Sequence, residues 1–599
     1  MDPITLEIVK NALEALADEM ALVVLRCAYS PIVRDSMDYS TAICDRLGRV
    51  IAQGLTNPIH LGSFPRVMAH LLERHRGDIS EGDGFLVNDP YDAGGMHLPD
   101  IYFIKPVFAM GRLAGFAAIL VHHTDLGGMA AGSMAIHAVE LFQEGLRIPL
   151  VKLFDRGKRN EAVEAFLKAN SRVPQEVMGD LRAQISATEA GERGLAKLVQ
   201  KYGHEAFDAM VEELHDYAER VVRQRIGAMP DGVYEAEDHI DGLGEGGSRI
   251  DFHVAITIEG DEIAFDWEGT SEQVAGSING PITTTYSLAY AALRAALGPG
   301  IPNCEGYTRP VRVEAPLGSI VNPRPYAACA ARGVIAYRML DTCFAALARV
   351  VPEAILAGGE GGPTAISFSG TNAQTHRRWL ITDGILGSWG GRRELDGPEG
   401  ISNPGANLSN QPIELIEARL PLRVERYGFA EDSGGAGRRR GGLAMVRSYR
   451  VLQDRTALTL RSDRRRNLPL PFDGGMPGSP SLSLVERPGG ERRLLPVMPM
   501  ESVTLNDGEL FLHVAAGGAG YGDPLERDPQ RVLEDVLDGK TSVEFALEIY
   551  GVVISGGVID RPASEDLRGR MAAEPAGLRG ERQKALFLER FDIDPSELL

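Results

Sequence analysis

Apolar positions recur along the chain in two rhythms. Leu6, Val9, Leu13, Leu16 and Met20 stand three and four residues apart, the spacing of one buried helical face. Asp2 before Pro3 gives that helix a start: a carboxylate able to accept backbone N–H bonds, then a proline whose missing N–H costs nothing in the first turn. A second helix is predicted from Ser63-Phe64-Pro65 to Arg76. Short β-like runs at 40–44, 50–53, 85–88, 101–108 and 116–121 predict a mixed sheet with loops at its edge. Residues 173–222, rich in Ala, Leu, Glu and Arg with few breakers, predict helix. The turn Met229-Pro230-Asp231-Gly232 closes that stretch. Residues 234–270 alternate apolar and polar around Asp/Gly turns, as antiparallel strands do. Helices are expected again at 285–297 and 334–350. Beyond Pro352 the chain is glycine-rich and strand-like up to Tyr521-Gly522-Asp523-Pro524. Short helices at 531–537 and 542–550 lead into a charged end without a clear pattern.

A chain of 599 residues exceeds what one core usually organises. The expected fold is multidomain α+β, or mixed α/β: an N-terminal α/β unit over 1–228, an α+β unit over 229–352, a β-rich unit over 353–526 and a helical tail over 527–599. Glycine accounts for 69 residues, about 12% against an average near 7%, without a G-x-y period. The excess predicts tight turns and backbone-lined pockets.

The net formal charge of −21 disfavours nucleic acid or an anionic membrane surface as partner. The first helix carries Glu7, Glu14, Asp18 and Glu19, the reverse of a basic signal peptide. No apolar run reaches the ~18–20 residues of a bilayer span. A cytoplasmic enzyme is the expectation. Cys27, Cys44, Cys304, Cys329 and Cys343 form no C-x-x-C pair and read as small buried residues.

Two nucleotide-like motifs fail on context. Gly539-Lys540-Thr541 has Glu534 where a phosphate loop needs its first glycine. Gly242, Gly244 and Gly247 precede a predicted strand, whereas a dinucleotide fold requires a helix there.

Chemistry concentrates in two windows. Asn88-Asp89-Pro90-Tyr91-Asp92-Ala93-Gly94-Gly95-Met96-His97-Leu98-Pro99-Asp100 is a turn-dense loop entering a strand, and His122-His123-Thr124-Asp125-Leu126-Gly127-Gly128 leaves the next one. Neighbouring strands would bring the two loops together. His97 and Asp100, three apart across a proline-stiffened turn, could hold a cation. Imidazole with carboxylate and no thiolate suits Zn, Mn or Fe in the divalent state. The competing reading is a pair of hydrogen-bonded turns without metal. Asp38 could supply another oxygen.

These windows carry a family resemblance. The two loops, together with Asp38-Tyr39-Ser40, Glu144-Gly145-Leu146-Arg147-Ile148-Pro149, Asn322-Pro323-Arg324-Pro325, Asp432-Ser433-Gly434-Gly435-Ala436-Gly437 and the 517–524 stretch, resemble the hydantoinase B/oxoprolinase family, in order over most of the chain. The resemblance implies a divalent metal ion held by His97, Asp100 and His122, with Asp38 as fourth ligand; His123 is the alternative to His122. It implies a hetero-oligomer with a hydantoinase A-type ATP-binding subunit, ATP and Mg being used on that partner. The implied activity is opening of a cyclic amide activated by phosphorylation, with His123 or Asp125 as general base or orienter. Met37 and Met96 depart from the family pattern and are expected to touch the pocket lining. A carboxylase subunit of the same family and a non-catalytic scaffold are the rival readings. Arg147, Arg324 and Arg332 could each pair with a substrate carboxylate or serve as ordinary salt bridges.

Overall fold

The computed structural model describes residues 2–54, 57–362 and 364–598. The first helix, α1 (Pro3–Cys27), is capped as its sequence demands, with the Asp2 carboxylate accepting from the Ile4 and Thr5 amides at 3.3 and 3.1 Å. Its apolar face, Val9, Leu13, Leu16 and Met20, is buried. A short helix α2 (Pro31–Arg34) and then α3 (Ser63–Arg74) follow.

Seven strands form the first sheet: β1 (Tyr39–Asp45), β2 (Val50–Gln53), β3 (Gly84–Val87), β4 (Asp100–Ala109), β5 (Arg112–His122), β6 (Val151–Asp155) and β7 (Lys158–Arg159). Their order is β2-β1-β5-β4-β3-β6-β7. The expected sheet is present, but its described pairings are all antiparallel rather than mixed. Short connections between successive strands permit hairpins, where a parallel pairing would need a long crossover. The sequence pattern missed β6, β7 and the helix α4 (Glu161–Asn170).

The predicted helical stretch is two helices, α5 (Pro174–Tyr202) and α6 (His204–Ile226). They break at Gly203, whose φ of 81° suits glycine. Helix α5 packs against α1, β4 and β5. Next come β8 (Gly232–Ile240), β9 (Ile250–Glu259), β10 (Glu262–Asp266), α7 (Ile282–Leu297), β11 (Val311–Glu314) and α8 (Gly333–Leu347), the strands lying in the order β11-β10-β9-β8. One apolar cluster runs from Val9 through this sheet and α8 to Met498.

The glycine-rich half supplies β12 (Thr364–Thr371), β13 (Arg378–Ile385), α9 (Ile413–Arg419), β14 (Leu422–Phe429), β15 (Met445–Val451), β16 (Thr456–Arg461), β17 (Leu482–Glu486), β18 (Arg492–Leu494), β19 (Val503–Leu505) and β20 (Leu510–Val514). They form two sheets, β13-β12-β16-β19 and β14-β15-β20-β17-β18. The sheets share one core in which Phe368 meets Tyr449 and Phe511. Much of the glycine excess serves close backbone packing. A Cβ on Gly441 would lie 1.9 Å from the Gly518 carbonyl, and one on Gly517 equally close to that of Ser433.

The tail holds α10 (Pro529–Leu537), α11 (Val543–Glu548), α12 (Arg561–Met571) and α13 (Ala576–Glu589). The end that lacked a clear pattern is thus helical. Phe587 and Leu588 pack with Val446, Leu482 and Val514 of the last sheet. Cys27 is exposed, contrary to expectation, while the other four cysteines are buried. Among the described residues no helix is long and apolar enough to cross a membrane.

Candidate metal centre

The pleat of β4 and β5 builds the site. Asp100 opens β4 and His122 closes β5, and the two are direct cross-strand partners, so their side chains share one face. His97 stands in the turn just before β4, its carbonyl accepting from the Asp100 amide at 3.0 Å. Ligand atoms of His97, Asp100 and His122 all lie within 4.8 Å of one another, and all three residues are buried.

Hydrogen bonding fixes what these atoms offer. His97 Nδ1 lies 2.9 Å from the Ala330 carbonyl. A carbonyl only accepts, so Nδ1 carries the proton and Nε2 a lone pair. That Nε2 is 3.2 Å from Asp100 Oδ1, yet neither atom has a hydrogen-bond partner, and His122 Nδ1 has none either. The other carboxylate oxygen, Asp100 Oδ2, accepts from the Arg332 guanidinium at 2.6 Å and faces His60 Nε2 at 3.7 Å. One oxygen is therefore neutralised by the protein and the other left facing a lone pair. Burial pushes His97 down, helped by the charge of Arg332; His122 falls well below its ordinary range through burial and the proximity of His97; and burial takes His60 down to about 3. Burial opposes ionisation of Asp100, but the charges around it, with the Arg332 guanidinium bonded to Oδ2, outweigh that and hold its pKa low. Neutral imidazoles beside an ionised carboxylate are ligands prepared for a cation. Two ligands about 2.1 Å from one Zn²⁺ in tetrahedral geometry stand roughly 3.4 Å apart, close to the 3.2 Å between His97 Nε2 and Asp100 Oδ1. The donor set fits a divalent metal ion.

The cavity around this cluster offers about 80 Å³, several water-sized volumes. Three parts of the molecule wall it. The first sheet and its loops give Asp38, Asn57, His60, His97, Asp100 and His122; the start of α8 gives Arg332 and Tyr337; the β12–β13–β16 sheet gives Ala365, Thr382, Gly384 and Arg461. Asp38 lines this space but lies outside the 4.8 Å cluster. Its Oδ1 accepts from Asn57 Nδ2 at 3.1 Å, and burial with the neighbouring charge of Asp100 raises it to about 7.

Other expected site residues go elsewhere. His123 follows His122 and projects to the opposite face, where its Nε2 donates to Gln184 Oε1 of α5 at 3.0 Å. Asp125 accepts from the Gly132 amide at 3.0 Å and from the Arg172 amide and guanidinium at 2.7 and 2.8 Å, tying down its loop. Neither lines the cavity. Met37 and Met96 do not line it either, and Met96 belongs to the core. Arg147 is engaged by Asp89 and Asp92, Arg324 is exposed, and Arg332 is committed to Asp100. Sequence reading missed His60, Asn57, Tyr337 and Arg461. No local motif marks them, since each arrives through contacts between distant segments. Glu144, which opens one of the family stretches, has a structural role: its buried Oε1 accepts from the Cys329 and Ala330 amides, both at 2.7 Å, so it braces the residue whose carbonyl orients His97.

Known proteins resemble this chain in sequence and fold. A protein of Pseudomonas sp. strain NS671, provisionally named as the B-type subunit of a D-/L-hydantoinase, is 35% identical over 95% of this chain and 98% of its own. The beta-type subunit of the caprolactamase of Pseudomonas jessenii is 33% identical over 94% of this chain and 98% of its own. The crystal structure of the ATP-dependent caprolactamase from that organism superposes with a TM-score of 0.88, at 32% identity, over 95% of this chain and all of that one. A nucleotide-free acetone carboxylase structure shares the fold, with a TM-score of 0.89 at 19% identity over 99% of this chain and 90% of that one. The sequence profile described as Hydantoinase B/oxoprolinase matches residues 2–524. With that match over most of its length, the chain belongs to the hydantoinase B/oxoprolinase family.

Proposed function

We propose that this chain is the metal-dependent subunit of an ATP-dependent cyclic-amide hydrolase of the hydantoinase, 5-oxoprolinase or lactamase type. The observation that carries the reading is the meeting of lone pairs at His97 Nε2 and Asp100 Oδ1, beside His122, in a buried cavity. The names of the relatives, one component of a hydantoinase and one of a caprolactamase, each aligned nearly end to end, support the substrate class. A divalent ion, Zn or Mn and in a third case Fe, would be held by His97, Asp100 and His122, and when bound it supplies Lewis acidity and lowers the pKa of water.

The chain's own groups do the rest. Arg332 and His60 hold Asp100 so that one oxygen faces the cavity. The Ala330 carbonyl keeps the His97 proton on Nδ1. Asp38, on the same cavity and not paired with an arginine, accepts a proton from water. A ring amide is a poor electrophile, so its oxygen needs activation; ATP and Mg would act on a hydantoinase A-type partner, which makes the working enzyme a hetero-oligomer.

The test is co-expression with the ATP-using subunit and a screen of hydantoin, 5-oxoproline and caprolactam for ATP-dependent ring opening, with metal content measured on the purified chain. Wild type should bind about one transition metal per chain and open a ring; His97→Ala should lose both. Full turnover by a metal-free His97→Ala protein would overturn the assignment. ATP-dependent fixation of labelled bicarbonate onto a ketone, without ring opening, would move the chain to the carboxylases.

A further inference from the structure

Arg461 has no part in the chemistry above. It ends β16, pairs in register with Ala365 of β12, and lines the cavity on the wall built by the C-terminal half. Its Nη1 donates to Met134 Sδ at 3.6 Å, and a thioether is a weak acceptor. Among the described residues it makes no ion pair. The contrast with Arg332, whose charge Asp100 absorbs at 2.6 Å, is direct. Electrostatically Arg461 faces Asp38, Tyr337 and Arg332, and its charge reaches His122. None of these neutralises it by contact. A half-buried guanidinium that lines a cavity and has no counter-charge in contact is well made to receive an oxyanion through two parallel N–H bonds. Ile32, Ile59, Leu386 and Leu408 add apolar walls to the same cavity.

We propose that Arg461 is the anion anchor of this cavity: it takes a carboxylate or phosphoryl oxygen of the ligand, while the ligand's reacting carbon lies towards His97, Asp100 and His122. The proposal rests on the cavity being the reaction site. The oxyanion has two possible sources: a carboxylate carried by the cyclic amide itself, or the phosphoryl group placed on the amide oxygen during activation. Either makes Arg461 a determinant of specificity.

Calorimetric titration of the full chain, without ATP or partner, separates the sources. The probes are inorganic phosphate, 5-oxoproline, and 2-pyrrolidinone as the same ring without a carboxylate. In Arg461→Gln at least one anionic probe should bind about ten- to a hundredfold more weakly, with 2-pyrrolidinone unchanged. Weakening of 5-oxoproline alone assigns the anchor to the substrate's carboxylate; weakening of phosphate alone assigns it to the phosphoryl group. Arg461→Met, which keeps the side-chain length, repeats the test if the Gln variant does not fold. A folded variant that binds both anions as wild type does, or a wild type that binds neither, overturns the proposal. Ring opening with an unaltered KM in Arg461→Gln would remove this inference and leave the hydrolase reading standing. Arg461-dependent anion binding in a complex that opens no ring would do the reverse.

Discussion

Helix α8 serves two buried ionic clusters of opposite character. Six residues beyond Arg332, Arg338 enters a cluster in which each carboxylate meets a guanidinium. Arg338 bonds Asp238 at 3.1 Å and also Asp463; Arg464 bonds Asp238 through both terminal nitrogens at 3.1 Å and Asp341 at 2.5 Å. This knot joins the middle sheet, α8 and the segment after β16. In the cavity, by contrast, His97 Nε2 and Asp100 Oδ1 lie 3.2 Å apart and neither has a hydrogen-bond partner. Burial alone therefore does not mark function. A cluster that pairs donors with acceptors holds the fold together, whereas one that gathers lone pairs is what the proposed cation would complete.

Mutation can break that distinction, and the largest effect should fall on the knot. Arg338→Ala leaves Asp238 and Asp463 without a shared partner and should cost about 3–5 kcal/mol by denaturant unfolding. Asp100→Asn takes the counter-charge from Arg332, so chelator-treated protein should lose some stability, and metal-loaded protein more. In metal-loaded wild type, chelation should remove a stabilisation of about 3–4 kcal/mol when free metal exceeds Kd several hundredfold, and Asp100→Asn should abolish that difference. An equal loss in both Asp100→Asn preparations would erase the contrast. His123→Ala deletes a matched donor to Gln184 and should cost about 1–3 kcal/mol of stability, with the same ring-opening rate per folded molecule.

The smallest effect is one of pH. His215 lies outside both clusters, its Nδ1 accepting from the Gly306 amide at 3.0 Å, and burial lowers it to about 4. The folded value lies below the unfolded one of ~6.5, so the unfolded chain binds more protons between them. Stability is thus complete above about pH 6.5 and lost as pH falls towards 4, at no more than about 1.4 kcal/mol per pH unit. His215→Gln should flatten the acid limb of a stability–pH curve by that amount.

How much was legible depended on range. The face of α1, its Asp2 cap and the strands that run from Asp100 and to His122 follow from spacing within a few residues. So does the nearness of the two loops, because strands joined by a short turn pair as a hairpin. Choosing between His122 and His123 needed the register, since adjacent residues on a strand face opposite ways and only the Asp100–His122 pairing says which faces the cavity. Asp125 looked catalytic for its position beside the histidines; its partner Arg172 lies 47 residues away, and nothing local announced that it was already used. The break at Gly203 was hidden because both flanks favour helix.

The sequence alone determined the family, most of the helices and strands of the N-terminal half, and the residue types able to hold a cation. Tertiary structure decided which of them meet and which stay unsatisfied. Arg332 reaches Asp100 across 232 positions, and Arg461 enters from a sheet formed much later in the chain. Periodicity records the short-range preference of a segment for water or for its own core; the charge left over when distant segments close on one another has no period to read.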